Sequence, residues 1–234
     1  MDEQNGSLSG SSYRTLTRAV HASRVEKKSR FLAELLPLAD EEEAQAALSR
    51  VRREHREARH HCSAWRLAGP PPLERAHDDG EPPGTAGRPL LSVLEKHGLR
   101  NVGVIVTRYF GGTLLGAPGL VRAYGGSAAD AVAEAWDTGA IVVCEAHDEY
   151  GFSVPYEDWD TARRALAAPA RTITAEYGAQ VTVHLVAPSG ERPVIETLLE
   201  TLSRDRWQYE LLRTQWRPRA AAGDPWTQPK SPDP

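Results

Sequence analysis

The chain has 234 residues, 40% of them hydrophobic and 26% charged, with a formal net charge of −4 at pH 7. That is ordinary globular usage with enough apolar material for a core, so neither a metal nor disulfides are required to hold the chain together. The charge balance excludes a protein that coats nucleic acid by bulk charge, but not one with a local basic patch.

In chain order, residues 1–12 are polar and rich in Ser and Gly, and read as a disordered tail. Two strand-like runs follow, a loosely alternating one over 15–25 and an apolar one over 29–38. Asp40 is suited to cap a helix, with Glu41, Glu42 and Glu43 at its positive end and Arg50, Arg52, Arg53 and Arg56 toward its negative end. Ala44, Ala47, Leu48 and Val51 give that helix its apolar face. A strand over 60–68 meets Gly69-Pro70-Pro71-Pro72, which must turn, and a return strand over 73–76 is expected. A loop over 77–84 leads to a helix over 86–97, closed by Gly98. The apolar run over 101–110 reads as a buried strand. After a Gly-rich loop, a helix over 118–136 is expected, with Pro118 at its first position.

Beyond a boundary placed at 140–146, the rhythm becomes strand 146–155, helix 156–167, strand 171–177, strand 180–186, helix 192–203 and strand 207–212. Tyr177-Gly178-Ala179 marks a tight hairpin. The order β-α-β-β-α-β is the ferredoxin-like split pattern. The expected organisation is therefore α+β, with domains over 13–140 and 146–213, and a second disordered tail over 217–234. Cys62 and Cys144 form no Cys-x-x-Cys pair and suit a reducing compartment. The chain shows no apolar leader and no run near the roughly 18 apolar residues of a membrane span. The expectation is a soluble cytoplasmic protein.

Chemistry concentrates in residues 107–124. A buried strand ends in Arg108, Tyr109 and Phe110, the glycines Gly111, Gly112 and Gly116 follow, and a helix then begins. Glycines let backbone approach a ligand closely, and free N–H groups at a helix start attract anions. From Lys96 to Ala129 there is no Asp or Glu, while Lys96, Arg100, Arg108 and Arg122 are cationic. A phosphate or an RNA backbone is a natural guest for such an island. The plainer account is a tight turn that packs helix on sheet. The loop has neither the Gly-Lys-Ser/Thr of a P-loop nor a G-x-G-x-x-G spacing. Gly125-Gly126-Ser127 lacks the context of a nucleophile elbow.

The second candidate is His77-Asp78-Asp79-Gly80-Glu81-Pro82-Pro83-Gly84-Thr85-Ala86-Gly87. Its carboxylates could bind a cation, act as acid and base, fix a turn through backbone N–H groups, or pair with Arg108 or Arg122. The spacing is not that of a calcium loop. His60, His61 and Cys62 invite zinc but lack a paired ligand set, and on a strand His60 and Cys62 face away from His61. Arg52, Arg56 and Arg59 fall at i, i+4 and i+7, a possible contact face or merely a solvated one. No metal and no cofactor is expected.

Lys28-Ser29-Arg30-Phe31, His61-Cys62-Ser63-Ala64, Asp78–Pro82 with Gly84–Gly87, and Asn101-Val102 leading to Thr107–Gly112 together resemble the Impact/YigZ family. The resemblance covers about residues 13–135, and Gly119–Tyr124 extends it. Residues 146–213 look like the domain of unknown function that follows in bacterial members. The resemblance implies a first domain with the fold of a ribosomal small-subunit protein's second domain. It also implies a second domain like the last domain of elongation factor G. Eukaryotic relatives restrain an initiation-factor kinase by competing for its activator. The folds suggest contact with RNA, the ribosome or a translation factor, without catalysis, through Arg108, Tyr109, Gly111, Gly112, Gly116, Arg122, Asp78, Asp79, Glu81 and Thr85. The alternative is an enzyme for a small phosphorylated or peptide-like substrate, in a pocket lined by Asp78, Asp79, Glu81 and Arg108. The sequence departs from the family pattern at His77, where serine is usual, at Leu115, where lysine is common, and at Pro118, where glycine is common. The oligomeric state is not legible.

Overall fold

The computed structural model describes residues 12–68, 71–204 and 206–218. Most of the expected tails, residues 1–11 and 219–234, lie outside that description. The chain divides into two compact units, the first over Tyr13–Val142 and the second from Val143 onward.

The first unit carries an antiparallel sheet in the order β2(Val20–Glu26), β3(Ser29–Pro37), β6(Val102–Tyr109), β4(His60–Leu67), β5(Leu73–His77). Both faces are covered, because β6 and β4 are buried on both sides and cannot alternate with solvent. On one face lies α1(Glu41–Glu54), whose Ala44, Leu48 and Val51 pack with Leu36, Trp65 and Ile105. Asp40 caps it by accepting from the Glu43 N–H at 2.8 Å. On the other face lie α2(Gly87–Lys96) and α3(Gly116–Asp137). Their Leu90, Leu94, Leu120 and Tyr124 bury Phe31, Cys62, Val104 and Val106. Burying such side chains contributes about 1.5–3 kcal/mol each.

Two expectations need correcting here. The run over 15–25 is two elements, β1(Ser12–Leu16) and β2, with Arg14 tied to the loop after α2 through the Gly98 carbonyl and the Arg100 N–H. The long helix starts at Gly116, so Pro118 is its third residue; the first turn has no earlier carbonyl to bond, and proline fits there as well.

The second unit begins inside β7(Ile141–Val154), which starts five residues earlier than the strand expected at 146. It continues α4(Tyr156–Leu166), β8(Thr172–Tyr177), β9(Val181–Pro188), α5(Arg192–Ser203), β10(Tyr209–Pro218). The strands from β7 onward run β10-β7-β9-β8, each neighbouring pair antiparallel, and β1 also pairs β7 to make a five-stranded sheet. That element and strand order is the ferredoxin-like arrangement. Tyr150, Phe152, Val183 and Leu185 face Trp159, Ile195 and Leu199 of the helices. β10 runs to Pro218, so residues 217–218, expected in a tail, belong to a strand paired with β7. Asp148 is fully buried and accepts from Ser189, Arg192 and Thr214; burial would raise its pKa, but those bonds hold it below the usual value. Among the described residues no helix is long and apolar enough to cross a membrane.

Candidate functional site

The loop between β5 and α2 is organised by its own carboxylates. Asp78 accepts from three backbone N–H groups, those of Gly84 (2.8 Å), Ala86 (2.9 Å) and Gly87 (2.8 Å). Ala86 and Gly87 are the opening residues of α2, so Asp78 supplies the cap that the sequence around Ala86 lacks. Partial burial alone would raise the Asp78 pKa, but the three donors prefer the ionised form and hold it below its ordinary value. Gly87 must be glycine, because a Cβ there would fall 2.5 Å from the His77 nitrogen. Thr85 is buried and donates to the Pro82 carbonyl at 2.6 Å, closing the turn.

Asp79 adopts φ 44°, in the left-handed region that Asp tolerates in turns. Its carboxylate accepts from Arg52 (2.6 Å) and from the His61 N–H (2.7 Å), and its carbonyl accepts from His60 Nδ1 (2.9 Å). The Cys62 thiol donates to the Asp78 carbonyl, and His61 Nε2 bonds the His55 carbonyl. The three residues that invited zinc therefore hold the loop on the sheet. As the strand alternation requires, Cys62 joins the core under α2 and α3 while His61 faces α1. Burial pushes the Cys62 thiol up to about 12 and pulls the His61 imidazole down. Among the described residues no group of three or more His, Cys, Asp or Glu is placed to hold a metal.

Glu81 and Arg108 are both buried and pair at 2.7 Å, and the Tyr124 hydroxyl donates to the same Glu81 oxygen at 2.7 Å. Arg108 also lies 5.6 Å from the ring centres of Phe31 and Phe110, and its Nε has no hydrogen-bond partner among the described residues. Arg108 is thus an internal strut, with one donor left unmatched, rather than an open anion clamp. Tyr124 is held neutral, its pKa raised by burial and then by its Cys62 and Glu81 neighbours.

Beside this pair opens a cleft of about 400 Å³. Glu81 and Pro82 form one wall, Arg59, His60 and Arg108 the floor at the sheet end, and Phe110 with Leu114–Ala117 and Leu120 the other wall. Of the residues singled out in the sequence, Glu81, Arg108 and Gly116 line it. Gly111 instead backs onto the β2–β3 hairpin: a Cβ would collide with the Lys28 carbonyl group, and its N–H donates to Ser29 Oγ at 3.2 Å. Gly112 and Gly116 have φ of +82° and +68°, which explains glycine at both. Tyr109 points to the α1 face, where its hydroxyl meets His55 Nδ1 at 2.9 Å and Arg30 lies 4.8 Å over its ring. Arg122 is exposed on α3, outside the cleft lining.

Arg59, His60, Phe110 and Leu114 also line the cleft; sequence reasoning had placed Arg59 and His60 in separate candidates and gave Phe110 and Leu114 no role of their own within 107–124. It had grouped Arg59 with Arg52 and Arg56 on one helix, but α1 ends at Glu54 and Arg59 lies just before β4. The register of β4 on β6, His60 opposite Arg108, brings Arg59 to the Gly-rich end of the sheet. An aromatic directly after a buried strand, as Phe110 is, was the available signal.

Comparison with known proteins adds the following. The family model described as Impact N-terminal domain matches residues 27–132. "IMPACT family member YigZ" of Escherichia coli (strain K12) is 34% identical over 190 residues, 78% of this chain and 89% of that protein. "IMPACT family member YvyE" of Bacillus subtilis (strain 168) is 44% identical over 119 residues, 51% of this chain and 55% of that protein. The chain therefore matches about half of the Bacillus protein's length. A solved structure described as a hypothetical protein aligns over 87% of this chain and 98% of its own, at 32% identity and a TM-score of 0.58. The two-domain translational regulator Yih1 aligns over 58% of this chain and 50% of its own, at 22% identity and a TM-score of 0.33.

Proposed function

The chain belongs to the IMPACT family, and from that premise we propose that it is a translation-linked regulatory protein that binds RNA or the ribosome and has no catalytic activity of its own. The observation that supports this reading is how the charges divide at the Gly-rich end of the first unit. The loop carboxylates are all engaged internally, Asp78 by backbone N–H groups, Asp79 by Arg52 and the His61 N–H, and Glu81 by Arg108 and Tyr124. Among the described residues Lys27, Lys28, Arg30, Arg59 and Arg122 form no ion pair. An acidic protein thus presents a basic end, which suits phosphate contacts.

The enzymatic alternative draws on the same geometry and is weakened by it. A general base must have a free lone pair within reach of a substrate proton. Asp78 and Asp79 are engaged in fixing the loop and are not among the cleft's lining residues, while Glu81 is neutralised by Arg108.

The test is co-sedimentation of the full chain with bacterial ribosomes through a sucrose cushion across a salt series. We expect binding that falls steeply with salt and is weakened by Arg59→Ala with Arg122→Ala, two exposed positions whose change leaves the fold intact. Binding that ignores both salt and the double substitution overturns the reading.

A further inference from the structure

The turn between β2 and β3 is built from the wrong residues for stability. Glu26 pairs with Ser29, so Lys27-Lys28 is a two-residue hairpin loop, and both residues have positive φ, 45° and 69°. Such a turn favours Asn-Gly, because a Cβ in the left-handed region clashes with the neighbouring carbonyl. Two lysines side by side in that region are a strained choice, and strain of this kind concentrates where a ligand is met. The turn touches the site already described: the Lys28 backbone lies against Gly111, and Gly111 follows Phe110.

Phe110 is 51% exposed. Arg108 holds one part of the ring from within, so the ring is oriented before any ligand arrives. Lys27 and Lys28 stand at the β3 side of the ring, and Arg59 stands at the β4 side. β3 and β4 flank β6, so the backbone positions that carry the two groups of cations are about 10 Å apart, two strand spacings. A half-exposed, pre-set aromatic between two cationic positions matches a base flanked by its phosphates. A duplex keeps its base faces inside the stack and cannot offer one; an unpaired nucleotide can.

Among the described residues, the two central strands of the second unit's sheet carry no Phe, Tyr or Trp on their open face. A four-stranded ferredoxin-like sheet binds RNA through aromatics on its open face. Here that face carries Glu149, Gly151 and Ser153 on β7 and Thr182 and His184 on β9. The exposed Tyr156 and Tyr177 stack on each other, 6.3 Å between ring centres.

The geometry points to a single-stranded RNA site in which an unpaired base stacks on Phe110 and the adjoining phosphates contact the Lys27-Lys28 turn and Arg59. The inference rests on the RNA-binding reading above. The test uses fluorescence anisotropy with a labelled 12-nucleotide mixed-sequence RNA, the same RNA annealed to its complement, and a salt series.

The decisive variant is Lys27→Asn with Lys28→Gly. It relieves the strained turn, so the protein is expected to melt at a higher temperature and yet bind the single strand on the order of ten-fold more weakly. Its log–log salt slope is expected to shrink by about 1.4, two phosphate contacts at about 0.7 each. Phe110→Ala is expected to weaken single-strand binding on the order of ten-fold while leaving the slope unchanged, as loss of stacking does. The duplex is expected to bind more weakly than the single strand, with no effect of Phe110→Ala.

A turn variant that gains stability and keeps full affinity overturns the proposal. So does a duplex that binds as tightly as the single strand with Phe110→Ala neutral. Displacement of the RNA by polyglutamate, together with a neutral Phe110→Ala, overturns it in favour of an acidic protein partner. If ribosome co-sedimentation survives while the single-strand site fails, only this inference falls; if both fail, the wider reading falls with it.

Discussion

Replacing Asp78 with alanine isolates what organises the candidate site. The substitution removes three acceptor contacts and leaves the N–H groups of Gly84, Ala86 and Gly87 to water. Loss of a helix cap costs about 0.5–2 kcal/mol, and each further net hydrogen bond about 0.5–1.5 kcal/mol. The loop is half-buried, so water recovers part of this, and a total of about 2–4 kcal/mol is expected. For a unit of this size, each kcal/mol moves the midpoint by about 3–5 °C, so the first unit's transition is expected to fall by about 6–20 °C. Asp78→Asn keeps one oxygen and is expected to lose about half as much. The assay is calorimetry with urea unfolding as a second measure, and only the transition of the first unit should move. The sign of the pH effect follows from the depressed pKa: the stabilisation is fully present above the ordinary carboxyl value of about 3.9 and fades as pH falls through the lower native value. The gap between wild type and Asp78→Ala should therefore be constant from pH 5 to pH 8, by about that reckoning, and narrow below about pH 4. A variant within about 0.5 kcal/mol of wild type at neutral pH refutes the argument.

Two other consequences can be checked with the same protein. Arg108→Met leaves Glu81 charged and buried, and is expected to cost about 3–5 kcal/mol by urea titration; adding Glu81→Gln should restore part of that loss, and no restoration would show that the pair acts only through packing. Cys62 should resist Ellman's reagent at pH 8 in native Cys144→Ser protein and react fully in denaturant, because burial pushes its thiol to about 12; rapid native labelling would mean that the loop opens readily.

What could be read in the sequence was local. Asp40 followed by three glutamates announced α1, and the apolar run through Val104 and Val106 announced a strand covered on both faces. The ferredoxin-like order followed from counting periods. Errors arose where tertiary pairing decides. The last strand was expected to end at 212 and a tail to begin at 217, yet Arg213–Pro218 continues the pairing with β7 from Glu149 to Cys144. Pro118 pointed to a helix start two residues too late because proline is tolerated throughout the first turn. At the site, four roles were open for the carboxylates. The structure gives Asp78 to the turn, Asp79 to Arg52 and the β4 backbone, and Glu81 to Arg108. Nothing local distinguishes these fates, since each depends on which strand lies alongside. The strain at Lys27-Lys28 was invisible for a related reason: side-chain chemistry gives no sign of a positive φ forced by a two-residue hairpin.

The Arg108–Glu81–Tyr124 cluster also says something about when the site comes into being. Its members are 27 and 43 residues apart in the chain, one on a strand, one in a loop and one on a helix. Contacts of that separation close late, after the loop entropy between them has been overcome. The nascent chain carries the Gly-rich segment well before it carries a cleft, and an excised peptide of residues 107–124 would never acquire one. The cleft is therefore a report on completed folding of the first unit, not on the presence of its most recognisable stretch.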